Sequence, residues 1–148
     1  DVDFDCTTGF RFHPLEALYS STVMLLVIAG AGIPPAAVAL YTTWLGLQNL
    51  YGHANARLGA ALDTALRWLV VTPDMHRVHH SAQSDESNRN FGIVFPWWDR
   101  LFGTYRATPR HGHEGMPIGL GWRRHEGGLP ELLLLPADTR VSGAPEPG

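Results

Sequence analysis

His76, His79 and His80 stand at positions i, i+3 and i+4. On an α-helix such positions fall within about 100° of arc, so three imidazoles project from one face. Imidazole is a ligand for zinc, copper, iron and nickel. A lone histidine is more often a satisfied polar core residue, whereas three on one face form a metal-binding pattern. One helix face cannot complete a coordination shell, so further ligands must come from elsewhere. Composition removes the competing chemistries. Every one of the 11 basic residues is arginine, which excludes Schiff-base chemistry and a Walker A phosphate loop. Cys6 is the only cysteine, so intrachain disulfides, cysteine-rich zinc knuckles and iron–sulfur clusters are excluded too. A net charge of −3 supplies no basic stripe for nucleic acid.

The elements that must position these histidines are set by where charge is missing. All 25 charged residues, 11 basic and 14 acidic, lie outside the stretch from Ala17 to Ala56. That stretch is too long for one bilayer crossing, and Gly32-Ile33-Pro34-Pro35 breaks it near its middle. The halves run from about Leu15 to Ala31 and from Pro34 to about Tyr51, each near the length that spans hydrocarbon. A buried soluble hairpin would need more apolar residues around it than this chain has. The expected fold is therefore all-α: an integral membrane helical protein with a transmembrane hairpin over about 15–52.

A hairpin delivers both outer ends to one side of the membrane. His13 precedes the first span and His53 follows the second, so both reach the same face. Arg11, Arg57 and Arg67 flank these ends and favour the cytoplasmic side. His53 is then the best additional ligand, while His13 is expected to pair with Glu16 one turn on. His111, His113 and His125 are expected as solvated loop residues. From Leu58 to Val71, a stripe of Leu58, Leu62, Leu66 and Leu69 predicts a helix along the interface, with Asp63 and Arg67 off the stripe and Trp68 at headgroup depth. Thr72-Pro73-Asp74 restarts a helix at the histidine cluster. Ser81–Asn90 reads as a polar loop and Phe91–Tyr105 as an aromatic-rich segment, giving a histidine-rich helical cap over 53–106. Residues 107–148 read as a peripheral tail, with one apolar run, Leu132–Leu135, and a disordered end from Ser142.

Several ordered motifs resemble the fatty acid hydroxylase/sterol desaturase superfamily, and its bacterial membrane members in particular. They are Phe10-Arg11-Phe12-His13-Pro14-Leu15-Glu16, the Gly-Ile-Pro-Pro break, His53-Ala54-Asn55-Ala56-Arg57-Leu58 and Val71-Thr72-Pro73-Asp74-Met75-His76-Arg77-Val78-His79-His80-Ser81. Asn88-Arg89-Asn90-Phe91-Gly92 and Pro96-Trp97-Trp98-Asp99-Arg100-Leu101-Phe102-Gly103-Thr104-Tyr105-Arg106 complete the set. The likeness covers roughly residues 1–106.

The resemblance implies a membrane-bound di-iron oxygenase that hydroxylates or desaturates a lipid, fatty acyl or sterol-like C–H bond. Its substrates are the lipid and O2, and its electrons come from a separate donor. It implies His76, His79 and His80 as the family's last histidine box, His53 as the isolated ligand before it, and a bacterial inner-membrane location with the histidine-rich cap facing the cytosol. His13, Glu86, Asn90 and Asp99 are candidates for the groups that hold the ligands, although Asp99 is better read as pinning the aromatic segment. The family's two earlier histidine boxes have no counterpart here, so the chain is expected to be a C-terminal portion, inactive alone. Iron suits C–H oxidation because zinc is redox-inert. Two other readings fit the residues: a non-redox membrane protein with a structural or transport zinc site, and a degenerate, non-catalytic homologue.

Overall fold

Proline placement sets the first two helices. In the computed structural model, which describes residues 3–119 and 128–137, α1 runs Pro14–Ala31 and α2 Pro35–Gly52. Each starts with a proline whose missing N–H is no loss in a first turn. Between them Gly32 takes φ +63° and caps α1, a left-handed conformation in which a side chain would be strained. Both helices are apolar and almost wholly uncovered, with no buried residue in α1 and only Gln48 and Gly52 in α2. Among the described residues, α1 is the one helix long and apolar enough to cross a membrane. Thr42, Thr43, Gln48 and Asn49 make α2 more polar.

The remaining elements are short and pack into a cap at the C-terminal end of α2. They are α3 (Ala60–Leu66), α4 (Pro73–His79), α5 (Ser84–Ser87), α6 (Trp97–Leu101), α7 (Gly112–Gly115) and α8 (Leu129–Leu134). No strand forms among the described residues beyond one isolated bridge, Ser81 to Ile118. The regular elements of the described residues are all helices, as the patterning predicts. Its core is small: Val71, Met75 and Val78 are fully buried beneath α4.

The stretch 58–71 departs from the expected single helix. α3 ends at Leu66, and Asp63 and Arg67, the two residues off the leucine stripe, are buried while Leu62 and Leu69 are exposed. Asp63 Oδ2 and Arg67 Nη2 pair at 2.6 Å inside the protein, and Arg67 also donates to the Ala107 carbonyl. A partner for the arginine inside the cap outweighs the leucine pattern. Residues 107–119, expected as the start of a peripheral tail, are tied into the cap as well. Ala82 N–H donates to the Pro117 carbonyl at 2.8 Å, Arg110 N–H to Glu86 Oε1 at 2.6 Å, and Met116 is buried. The Leu132–Leu135 run falls on α8 and its 3-10 extension, whereas His125 and Ser142–Gly148 lie outside the described residues.

Candidate metal centre

Thr72 starts the helix that carries three of the histidines. Its Oγ1 accepts from Met75 N–H at 3.4 Å, Pro73 occupies the first position, and Asp74 sits at the positive end of the helix dipole. This helix, α4, is short and ends within the histidine run, so His79 is its last residue and His80 its C-cap.

A fourth imidazole comes from the end of α2. His53 is the C-cap of α2, and its Nδ1–H donates to the Asn49 carbonyl at 2.9 Å. That bond fixes the tautomer and leaves Nε2 as a lone pair. His53 Nε2 lies 3.1 Å from His76 Nε2, which lies 3.3 Å from His80 Nε2. Nitrogens of His53, His76 and His80 all stand within 4.8 Å of one another. His79 stands beside this trio, its ring centroid 5.8 Å from that of His76 and 5.5 Å from that of His80. Its Nδ1–H donates to the Arg89 carbonyl at 3.0 Å, which again leaves Nε2 available.

Burial keeps the trio neutral. It lowers the His53 pKa, pushes that of His76 well below 6.5, and, with repulsion from the neighbouring imidazoles, takes His80 to about 3. Across these 3.1–3.3 Å gaps one neutral ring can donate Nε2–H to the next, and with the protons on Nδ1 the same nitrogens converge as lone pairs on a shared cation. His76 Nδ1 is buried without a partner, so no acceptor competes for the orientation of its ring. A set of neutral nitrogens without thiolate or carboxylate fits a borderline divalent metal such as iron or zinc.

Phe4 closes the cluster on one side, a role that nothing in its sequence context signals. Its buried ring stacks on His53 at 5.6 Å and meets His80 edge-on at 5.1 Å, with the Arg77 guanidinium 4.7 Å from its centroid.

None of the hydrogen bonds of His13, Glu86, Asn90 and Asp99 goes to a clustered histidine. His13 Nδ1 accepts from Leu15 N–H and caps α1, and its Nε2–H faces the Leu133 carbonyl at 3.2 Å, so its ring does not serve Glu16. Glu86 is 1% exposed and accepts from Ser81 Oγ and Arg110 N–H while pairing with Arg106. Asp99 gathers Phe91 N–H, Gly92 N–H and Thr104 Oγ1 at 2.6–2.9 Å, pinning the aromatic segment. Gly92 is required there, since a Cβ would stand 2.7 Å from the Phe95 carbonyl oxygen and 2.9 Å from Asp99 Oδ2. Asn90 sits closest to the site in effect. Its Nδ2 donates to the Met75 and Arg106 carbonyls, and its Oδ1 accepts from Arg106 N–H, which clamps α4 to residue 106. The groups that orient His53 and His79 are the backbone carbonyls of Asn49 and Arg89, which no residue type announces. His111 is exposed as expected, but His113 is half-buried with Nδ1 3.8 Å from Asp74 Oδ1, and burial lowers its pKa.

Against known proteins, residues 1–104 match the family model described as fatty acid hydroxylase. The chain belongs to this family. It is 30% identical over 125 residues to the ornithine lipid hydroxylase OlsE of Rhizobium tropici, covering 82% of this chain and 35% of that protein. Human alkylglycerol monooxygenase is 29% identical over 107 residues, which is 71% of this chain and 22% of the relative. The CER1-like 2 protein of Arabidopsis thaliana is 31% identical over 71 residues, covering 45% of this chain and 11% of that one. The chain thus spans about a third or less of the length of these relatives. No solved structure matches it. The matched residues 1–104 include all four clustered histidines, and that cluster is where a metal would be held.

Proposed function

We propose that this chain forms the C-terminal part of the catalytic domain of a membrane-bound di-iron lipid hydroxylase. The convergence of the His53, His76 and His80 nitrogens carries the reading. In it those three residues would hold iron, with His79 beside them as a further ligand. Four imidazoles are fewer than two metals need, so the remaining ligands come from parts of the relatives that this chain does not span. Iron bound there supplies the one chemistry the side chains lack, oxidation of an unactivated C–H bond by O2. The balance is R–H + O2 + two electrons + two protons giving R–OH + H2O, with the electrons from a separate donor protein.

The chain's own residues then orient and exclude. Asn49 and Arg89 carbonyls orient His53 and His79 through Nδ1 and leave Nε2 free to hold a metal. Phe4 and the buried face of α4 keep water from the cluster. Between α1 and α2 lies an apolar cavity of about 590 Å³, lined by residues such as Val23, Met24, Val27, Val38 and Leu45, which suits an alkyl chain. The hairpin of α1 and α2 spans the bilayer in this reading, with the cap on the cytosolic face of a bacterial inner membrane, beside Arg57 at the end of α2. A family relative that acts on ornithine lipid favours a polar bacterial lipid as substrate. Mass spectrometry of lipids from cells expressing the natural protein under isotopically labelled O2 tests this. The proposal expects one labelled oxygen in a lipid, lost in His76→Ala. An unchanged lipid profile, with the protein present and iron-loaded, would overturn it.

A further inference from the structure

The cap wears its apolar residues outward. A soluble surface helix buries its leucines and exposes its charges, yet α3 does the reverse: Leu62 is 55% exposed while Asp63 and Arg67 are buried. Trp68 and Leu69 continue the apolar surface past the end of α3, and Trp97, Trp98 and Phe102 extend it from α6, all five at least half exposed. The two stretches form one surface. Trp97 Nε1–H donates to the Trp68 carbonyl, and the Arg100 guanidinium lies 4.0 Å from the Trp68 ring while donating to the Arg67 carbonyl at 3.1 Å.

The depth of this surface follows from one side chain. Gln48 lies one turn before Gly52, the end of α2, and its buried amide donates to the Val71 carbonyl at 2.6 Å. Val71 N–H in turn donates to the Val94 carbonyl at 2.9 Å. Four residues of helix rise about 6 Å, and helical side chains lean toward the N-terminus, so Val71 and Val94 sit no shallower than the last turn of α2. An interfacial apolar face penetrates about 5–10 Å into the headgroup and acyl boundary. The two depths agree.

We propose that the Leu62–Leu69 and Trp97–Phe102 surface is a membrane-interface face, seated on lipid in the leaflet where α2 ends. The occupant is lipid, because the surface is continuous with the end of α2 and is tryptophan-rich, the composition that settles at headgroup depth. The inference rests on α2 being a membrane helix. It places the mouth of the histidine site against the leaflet, so that a lipid reaches it without crossing water.

Single-tryptophan variants of the natural protein in phosphatidylcholine vesicles test it, using phospholipids brominated near the headgroup or deep in the acyl chain. One variant keeps Trp98, the other Trp44 in α2, with the remaining tryptophans changed to Phe. The expected result is quenching of Trp98 chiefly by shallow bromines and of Trp44 by deep ones. Trp44 quenched with Trp98 unquenched and open to aqueous iodide would overturn the face while leaving the membrane helix standing. A blue-shifted Trp98 that no brominated lipid quenches would also overturn it, by showing protein as the cover. Neither residue quenched would remove the membrane reading itself, and the proposal with it. Trp98 quenched with Trp44 unquenched would remove the membrane helix from which the depth of the face is drawn, and would overturn the proposal as stated.

Discussion

Asn90→Ala tests the positioning of the histidine helix by a residue whose side-chain hydrogen bonds go to none of the histidines. Asn90 is fully buried with φ +52°, a left-handed conformation that asparagine tolerates and alanine does not. Its amide makes hydrogen bonds to Met75 O, Arg106 O and Arg106 N–H. Each net bond contributes about 1 kcal/mol, and a buried partner left unsatisfied raises the loss toward 1–3 kcal/mol. The left-handed backbone adds about 1 kcal/mol for alanine. The sum is roughly 4 kcal/mol, a large share of the ~5–15 kcal/mol that a domain has in total. Denaturation in mild detergent reads it, and Asn90→Gly separates the contributions: glycine accepts φ +52° yet lacks the amide, so it is expected to lose about 1 kcal/mol less than alanine. Loosening here also frees Arg89, whose carbonyl holds His79, so metal retention falls with stability. A variant within about 0.5 kcal/mol of the parent, the range of an ordinary surface change, would refute the clamp.

Other outcomes follow from the same structure. Phe4→Ala is expected to cost about 3 kcal/mol, near the low end for a buried phenylalanine because the ring lies at one side of the cluster; denaturation checks the loss, and faster removal of metal by chelator checks the closure. Arg67→Met strands a buried Asp63 carboxylate and is expected to destabilise by about 3–5 kcal/mol, whereas Asp63→Leu with Arg67→Met recovers much of it in the same denaturation assay. The metal-free protein is expected to be acid-labile. His53, His76 and His80 have folded pKa values below the unfolded 6.5, so the unfolded chain binds more protons as pH falls, and stability present above 6.5 is lost on the way to about 3 for His80. Each fully buried imidazole contributes at most about 1.4 kcal/mol per pH unit, and melting curves of metal-free His80→Ala between neutral and mildly acidic pH should show a shallower slope.

The readable parts of this protein are those where local chemistry decides. Gly32 and the two prolines end α1 and start α2 whatever surrounds them, and Thr72-Pro73-Asp74 starts α4 by capping its own backbone. Histidine spacing on one short helix puts His76 and His80 together, and a turn at the end of α2 adds His53. Tertiary partners decide the rest. The leucine periodicity of 58–71 predicts an unbroken helix, but the segment turns after Leu66, where Arg67 reaches Asp63 and the Ala107 carbonyl. Spacing places His79 on the face of its neighbours, but α4 ends at that residue and the Arg89 carbonyl claims its Nδ1–H. His113 reads as a solvated loop residue because nothing local says that α7 folds back beside Asp74. Backbone carbonyls orient His53 and His79, and a carbonyl has no signature in a sequence.

Metal content of the natural protein, purified in detergent and then stripped of loosely bound ions, addresses the central claim most directly. The account predicts near-stoichiometric iron with a nitrogen-rich X-ray absorption shell, reduced in His53→Ala, His76→Ala and His80→Ala. Zinc in its place, or iron that survives all three substitutions, would contradict it.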